Sequence, residues 1–398
     1  MSSVLGFIKR NYRAAYPPGP RSAPDNLNSP KIRFGILGAA AIAPKALLIP
    51  ALNHPEVEVY AVAARDEKRA KEFARKWNIP KVHASYQELI EDEDVDVIYN
   101  PLPVGLHYEW TMKALQKGKH VLLEKPSADT AQEVTAMFEL AESKGLVLVE
   151  AFHYRFHPVL QRAKAIVDSN ELGKILNVSA TLVVPSGMFS PDDIRFDYDL
   201  GGGALMDVGC YTMNFIRYIT SSDPVSVNTA VYEAAKNPKA SPETVSKVDR
   251  MFKATLSMPN DVTATIHGDL APPYRLGFIP NVDITAVIEC ESGTVEIYNW
   301  VSPTLYHTIT ITQKDDKGKK TTRKEKAYAF GDPGQGKGED WWTTYRYQLE
   351  AFMDRLKGRQ PQTWISKGDS VANIQWIENI YQEMGLGSRP KSTYVHDS

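Results

Sequence analysis

Four stretches of the chain carry side chains whose types and spacing could serve one reaction. The first is Gly35-Ile36-Leu37-Gly38-Ala39-Ala40-Ala41-Ile42-Ala43, between an apolar run and a helical segment. A glycine turn in that context leaves free N–H groups at a helix start, where they and the helix dipole attract a phosphate. Gly35, Gly38, Ala40, Ala41 and Ile42 are the positions expected to cradle a dinucleotide. The stretch departs from G-x-G-x-x-G, because Ala40 replaces the second glycine and Ala43 the third. The second stretch is Ala64-Arg65, at the end of the next apolar run. NAD binders place an acid there for the ribose hydroxyl. An arginine instead attracts a 2′-phosphate and can stack on adenine, so NADP is the cofactor expected.

The third stretch is Glu124-Lys125-Pro126, directly after a strand-like run, where a lysine would point toward the nicotinamide. The fourth runs from Gly201 to Tyr211 and leads three glycines into a helix. Asp207 and Tyr211 stand four apart and so share a helix face. Beside an ammonium, a buried tyrosine has its phenolate favoured, and its pKa is expected to fall toward a working range for acid–base catalysis. Taken singly, Tyr211 also fits a helix core and Asp207 a capping acid.

The elements that must hold these residues alternate along the first part of the chain. Strands are expected over 31–37, 57–64, 95–99, 120–123 and 146–151. Helices are expected over 42–52, 66–77, 107–117 and 130–144, two of them closed by Gly118 and Gly145. That alternation predicts a doubly wound parallel sheet, a Rossmann domain over 31–151. After residue 151 the strands lengthen and alternate, over 177–184, 251–258, 261–267, 284–289 and 294–298, with a hairpin across 308–327. They predict an α+β domain over 152–398 with a large, mostly antiparallel sheet. Helices over 204–220, 342–357 and 370–384 are expected to cover one face of it. The other face would then be a large apolar surface, which a homodimer or higher homo-oligomer would cover. The fold class expected is therefore α/β with a second, α+β domain.

Residues 1–30 differ in character. They hold Lys9, Arg10, Arg13 and Arg21 with no acid before Asp25, a pattern that reads as a mitochondrial presequence. Tyr16-Pro17-Pro18-Gly19-Pro20 favours instead an extended, proline-rich arm. The two cysteines, Cys210 and Cys290, make neither a disulfide framework nor a zinc spacing. A reducing compartment follows, with the cytoplasm expected and the mitochondrion as the alternative. No metal site is expected. A formal net charge of −2 argues against a nucleic-acid partner. No apolar run approaches the roughly 18–20 residues that span a bilayer.

Taken together, the motifs resemble the glucose-fructose oxidoreductase/inositol dehydrogenase/rhizopine catabolism (Gfo/Idh/MocA) family. The likeness runs in order through Gly35 to Ala40, Asn100-Pro101-Leu102-Pro103, His107, Gly118 to Val121, Glu124-Lys125-Pro126, Glu150-Ala151-Phe152 and Tyr154 to Pro158. It implies that Asn100, Leu102, His107, Glu124 and Lys125 also contact the cofactor. Tyrosine rather than histidine at 211 resembles the branch of glucose-fructose oxidoreductase, NADP-dependent D-xylose dehydrogenase and dimeric dihydrodiol dehydrogenase. The resemblance implies hydride transfer from C1 of a cyclic aldose to NADP. Tyr211 would take the hydroxyl proton, Lys125 would orient the substrate oxygen, and Asp207 would support them. Arg155, His157 and His153, an unusual choice within its motif, are candidate pocket residues for a sugar or diol. An oxidoreductase that keeps NADP bound between two sugars, or a dihydrodiol dehydrogenase, is the alternative. A non-catalytic NADP-sensing regulator is a third reading, against which intact Lys125 and Tyr211 argue.

Overall fold

The computed structural model describes residues 4–19, 30–237, 241, 243–331 and 338–396. It opens with helix α1 (Val4–Ala15), where an extended arm was expected. The reason is local: the first proline is Pro17, so nothing breaks the run before it. Arg10 fastens this helix. Its Nε donates to the Thr304 carbonyl at 3.2 Å, and its guanidinium lies 3.6 Å over the Tyr328 ring. Residues 17–19 keep an irregular path, and Asn53 Nδ2 donates to the carbonyls of Pro18 and Gly19. The rest of the expected arm, Arg21 and Pro24 included, lies outside the described residues.

From Ile32 the chain alternates strand and helix. The order is β1 (Ile32–Leu37), α2 (Ile49–Leu52), β2 (Val57–Ala63), α3 (Glu67–Trp77), β3 (Lys81–His83), α4 (Tyr86–Glu91), β4 (Val97–Asn100), α5 (His107–Gln116), β5 (His120–Leu123), α6 (Ala131–Ser143) and β6 (Leu148–Glu150). The six strands are parallel in the order β3-β2-β1-β4-β5-β6. Strand order therefore reverses between β1 and β4, which opens a crevice at the strands' carboxyl ends. Packing on both faces explains the near-continuous apolar runs, such as fully buried Phe34, Ile36 and Leu37.

The second sheet follows α7 (Pro158–Asp168). It is built from β7 (Ile175–Val183), then, beyond α8 (Cys210–Thr220), β8 (Ser226–Ala234), β9 (Asp249–Ser257), β10 (Thr263–Asp269), β11 (Thr285–Cys290), β12 (Gly293–Tyr298), β13 (Thr308–Lys314) and β14 (Lys320–Glu325). The order is β14-β13-β12-β11-β7-β10-β9-β8, antiparallel except for the central β7–β10 pair. Two helices close the chain, α9 (Thr344–Leu356) and α10 (Lys367–Glu383).

Two expectations about this sheet need correction. Of the three helices expected on one face, α8 packs on β7 and β10, but α9 packs on α2 and on residues 153–156. Phe352 meets Phe34 of β1 at 6.0 Å between ring centroids. Helix α10 lies between α8 and α6, and Glu378 accepts from the Ala131 N–H at 2.9 Å. Helix α9 thus binds the two halves together rather than roofing the second sheet, while α10 joins α6 to α8 and also packs on β8. The open face is also not apolar. Its outward positions are mainly polar, among them Thr255, Ser257, Thr263, Thr265, Thr294, Glu296, Thr308, Thr310 and Thr312, with Val287 and Tyr298 as apolar exceptions, while apolar residues at alternate positions face the helices. No helix among the described residues is long and apolar enough to cross a membrane.

Candidate active site

The crevice at the carboxyl edge of the first sheet begins at Gly38. Its φ of 87° is a left-handed conformation that a glycine adopts without strain. A Cβ there would also lie 3.2 Å from Leu102 Cδ2 and 3.7 Å from the Tyr86 hydroxyl. Ala40 and Ile42 are half-buried and Ala41 is exposed, in the turn that leads into the wide helical segment Pro44–Leu48. Gly35 has a different role: a Cβ there would sit 2.7 Å from Leu89 Cδ2, so it admits α4 against β1 and does not face the crevice.

Arg65 is exposed at the end of β2. The neighbouring acid, Asp66, is turned away from the crevice and caps α3, accepting from Arg69 N at 3.1 Å. An exposed guanidinium beside a committed carboxylate fits a cofactor with a 2′-phosphate. Tyr86 stands beside it. Burial raises the pKa of its phenol and Arg65 opposes that rise.

Asn100 and His107 hold the turns that follow β4 and β5. Asn100 accepts from Leu102 N at 3.3 Å and donates to Thr111 Oγ1 at 3.1 Å. His107 Nδ1 lies 2.9 Å from the Pro126 carbonyl and Nε2 2.7 Å from that of Leu102. Burial lowers this imidazole to about 4, so the ring is neutral and one nitrogen at a time donates. Glu124 also points inward: Tyr99 donates to its Oε1 at 2.8 Å, and burial raises its pKa. These three residues shape the floor on which Leu102 and Lys125 are presented.

Lys125 leaves the end of β5 and meets the second half of the molecule. Its Nζ donates to Asp207 Oδ1 at 2.8 Å and to the Asp207 carbonyl at 2.9 Å. The second carboxylate oxygen accepts from Arg195 Nε at 2.9 Å. Burial alone would raise Asp207, but the two cations hold it down to about 2. Burial likewise works against the Lys125 charge and is outweighed by Asp207, so the ammonium's pKa is raised. The cluster is partly open, with side-chain exposures of 14% for Lys125, 19% for Asp207 and 31% for Arg195.

The glycines before this helix explain how Asp207 arrives there. Gly203, at φ 141°, leaves no room for a Cβ against Asp249, Arg389 and the Tyr381 hydroxyl. Asp249 accepts from Leu205 N at 2.6 Å and pairs with Arg389 at 2.8 Å, both fully inside the protein. That buried pair anchors the start of the wide helical turn 205–209, which carries Asp207 and continues into α8 with Tyr211.

Tyr211 lies with its ring 4.8 Å from Lys125 Nζ. Its hydroxyl, however, bonds to His153 Nε2 at 2.9 Å. The expectation that Lys125 lowers its pKa is corrected: burial first, then Tyr345 and nearby acids, hold the phenol well above its usual value. The lysine's charge is paired with Asp207 and does not outweigh burial at the phenol. His153 Nδ1 is 2.8 Å from Thr344 Oγ1, and the Tyr345 ring stacks on the imidazole at 4.0 Å.

The structure therefore brings Lys125, Asp207, Tyr211 and His153 together. Arg155 and His157 stand apart from them. Arg155 lies 3.7 Å over the Tyr218 ring and donates to Asn214. His157 is fully buried and caps α7, accepting from Val159 N at 3.3 Å. Arg195, Thr344, Tyr345 and Tyr86 were not foreseen. Arg195 comes from a loop without periodicity, so only its contact with Asp207 marks it. For Tyr86 a signal existed: Ser85 and Glu88 make an S-x-x-E helix start, and Ser85 accepts from Glu88 N. Among the described residues no three His, Cys, Asp or Glu side chains are grouped to hold a metal ion.

Comparison with known proteins adds to this geometry. Residues 32–152 match the model of an oxidoreductase family with an NAD-binding Rossmann fold, and residues 160–296 match the GFO/IDH/MocA C-terminal domain. The chain is 44% identical over 366 residues to D-xylose 1-dehydrogenase (NADP(+)) 2 of Haloferax volcanii, covering 89% of this chain and 98% of that one. It is 37% identical to trans-1,2-dihydrobenzene-1,2-diol dehydrogenase of Xenopus tropicalis, over 45% of this chain and 53% of that one. A solved 3-ketoreductase from Actinomadura kijaniata, in complex with NADP and TDP-benzene, superposes with a TM-score of 0.71 at 25% identity. The match covers 87% of this chain and 96% of that one.

Proposed function

The chain belongs to the GFO/IDH/MocA oxidoreductase family, and from that premise we propose that it oxidises the C1 hydroxyl of a cyclic aldose, such as D-xylose or D-glucose, to the lactone with NADP. The observation that carries this reading is the convergence of Lys125, Asp207 and Tyr211 at the mouth of a crevice whose far end presents Arg65. Bound NADP supplies the hydride-accepting ring. The Lys125 ammonium, fixed by Asp207, donates to the substrate oxygen and fixes its orientation. Tyr211 receives the hydroxyl proton. Arg195 keeps Asp207 ionised and so keeps the lysine in place. Gly38 and the turn 40–42 would hold the pyrophosphate, and Leu102 would line the cofactor's site.

Likeness to the Xenopus diol dehydrogenase supports a second reading, oxidation of a trans-diol by the same groups. Incubation with NADP and a panel of aldoses and trans-diols, read as NADPH absorbance, tests both. Absence of turnover with every member would sink the proposal. The same reading divides the chain into an arm (1–30), a cofactor domain (31–151) and a substrate domain (152–398). Two sheets that share no strand support that division. It also places the protein in the cytoplasm, which two unpaired buried cysteines favour. Finally, it pairs two copies through the open face of the second sheet, where Val287 and the exposed Tyr298 stand among the threonines.

A further inference from the structure

A phenol held in its neutral form is a poor proton acceptor unless it can pass on its own hydrogen as it receives another. Tyr211 has such an outlet. Its hydroxyl lies 2.9 Å from His153 Nε2, and the other ring nitrogen lies 2.8 Å from Thr344 Oγ1. The imidazole is 3% exposed and lies under Tyr345, so its orientation is fixed by packing as well as by hydrogen bonds. Phe152 meets the edge of the Tyr211 ring at 5.7 Å, which fixes the phenol too. Phenol, imidazole and hydroxyl thus form a line, with the phenol end beside Lys125.

We propose that His153 is the proton acceptor behind Tyr211, oriented by Thr344, in the oxidation this site performs. The proposal rests on the reading of Tyr211 given above. In the resting line Tyr211 O–H donates to Nε2, and Nδ1–H donates to Thr344 Oγ1. The more acidic donor then meets the more basic nitrogen. As the C1–H bond breaks and its hydride reduces NADP, the C1 oxygen becomes the lactone carbonyl and releases its proton to Tyr211 Oη. The original Tyr211 proton moves to Nε2 in the same step. The imidazolium that results faces Lys125 within a buried site, both of which disfavour its charge. It returns its proton through Tyr211 to water that enters when the lactone leaves. His153 is a positioning and relay residue, since it reaches the substrate only through Tyr211.

Three variants and one spectrum test this. His153→Phe keeps a ring but no acceptor, and should lower kcat by about 10²–10⁴-fold while the sugar KM and the NADP affinity stay near native. His153→Ala should lose as much and regain about tenfold or more when imidazole is added, a recovery that packing alone does not give. Nitrogen NMR of the native protein should show the Nδ1–H tautomer, a readout independent of turnover. Native kcat in His153→Phe overturns the proposal, as does an Nε2–H tautomer, or a folded His153→Ala that imidazole does not restore. Should the alanine variant not fold, Thr344→Val carries the test. It removes the orienting hydroxyl at constant shape and should cost about tenfold in kcat, and native kcat there overturns the relay. Tyr211→Phe separates the two readings. If it retains native turnover, the proposed function of Tyr211 fails. If it is inactive while His153→Phe is native, only the relay fails.

Discussion

The Lys125 ammonium is paired with the Asp207 carboxylate at 2.8 Å, and this pair, drawn from two different sheets' supporting elements, sets the charge of the candidate site. Removing the carboxylate leaves burial to act on the lysine unopposed. Burial lowers its pKa, whereas Asp207 had raised it. Asp207→Asn should therefore lose activity on the order of 10²-fold, and its kcat/KM should fall with rising pH sooner than that of the native enzyme. Superimposable pH profiles would show that Asp207 does not hold the lysine's charge.

Tyr211→Phe removes one hydroxyl and keeps the ring that packs on Phe152 and Tyr154. Turnover should drop by roughly 10²–10⁴-fold, the usual worth of general acid–base catalysis, with NADP affinity and melting temperature near native. Combined with Lys125→Ala, the losses should not add, because the residues act as one unit. A phenylalanine variant with native kcat would contradict the mechanism.

Arg65→Asp turns attraction toward a 2′-phosphate into repulsion. Losing one charge-assisted hydrogen bond costs about 1.5–3 kcal/mol, so NADP should bind roughly 10–100-fold more weakly. NAD should be little affected. Fluorescence titration of both cofactors checks this, and parallel losses would mean that Arg65 reads neither.

Asp129 lies nearly buried beside Gly201, with Oδ1 unpartnered among the described residues. Burial, with Glu133 adding to it, pushes its carboxyl up to about 8. Its folded pKa exceeds its unfolded one, so the folded state holds the extra proton. That stabilisation is complete at low pH and is lost as pH rises from about 4 toward 8. Asp129→Asn cannot titrate. Calorimetry should find the native melting temperature higher relative to this variant at pH 5 than at pH 8, and a constant difference would refute the assignment.

The open face of the second sheet should bury itself against a second copy around a two-fold axis. Light scattering at micromolar concentration should report a dimer. Thr310→Glu, at an outward position of β13, should shift it toward monomer without unfolding. A native monomer would remove the assembly from the proposal.

The first sheet was legible because parallel strands are buried on both faces and read as apolar runs. His120–Leu123 was expected at its observed bounds. Asp66 and Thr130 announce α3 and α6 by their capping chemistry. Short edge elements were not legible: β3 has three residues, all half-buried, and β8 is largely exposed, so neither shows a pattern. Helix α7 was within reach, since Pro158 at its first turn precedes Val159, Leu160, Ala163 and Ile166 on one buried face. At the site, Lys125, Asp207 and Tyr211 stood out by spacing. Their charge states did not, because a pKa depends on partners such as Arg195 and His153 that sequence distance hides.

The pair between Lys125 and Asp207 joins a residue that follows β5 of the first sheet to one on the helical turn that packs on the second. A site divided this way acts as an alignment gauge. Should the halves swing apart, the cradle would still hold its dinucleotide, but the lysine would lose its counter-charge and the phenol its neighbour. Hydride transfer would then be switched off while cofactor remained in place, so an opened site could not hand its hydride to a stray carbonyl.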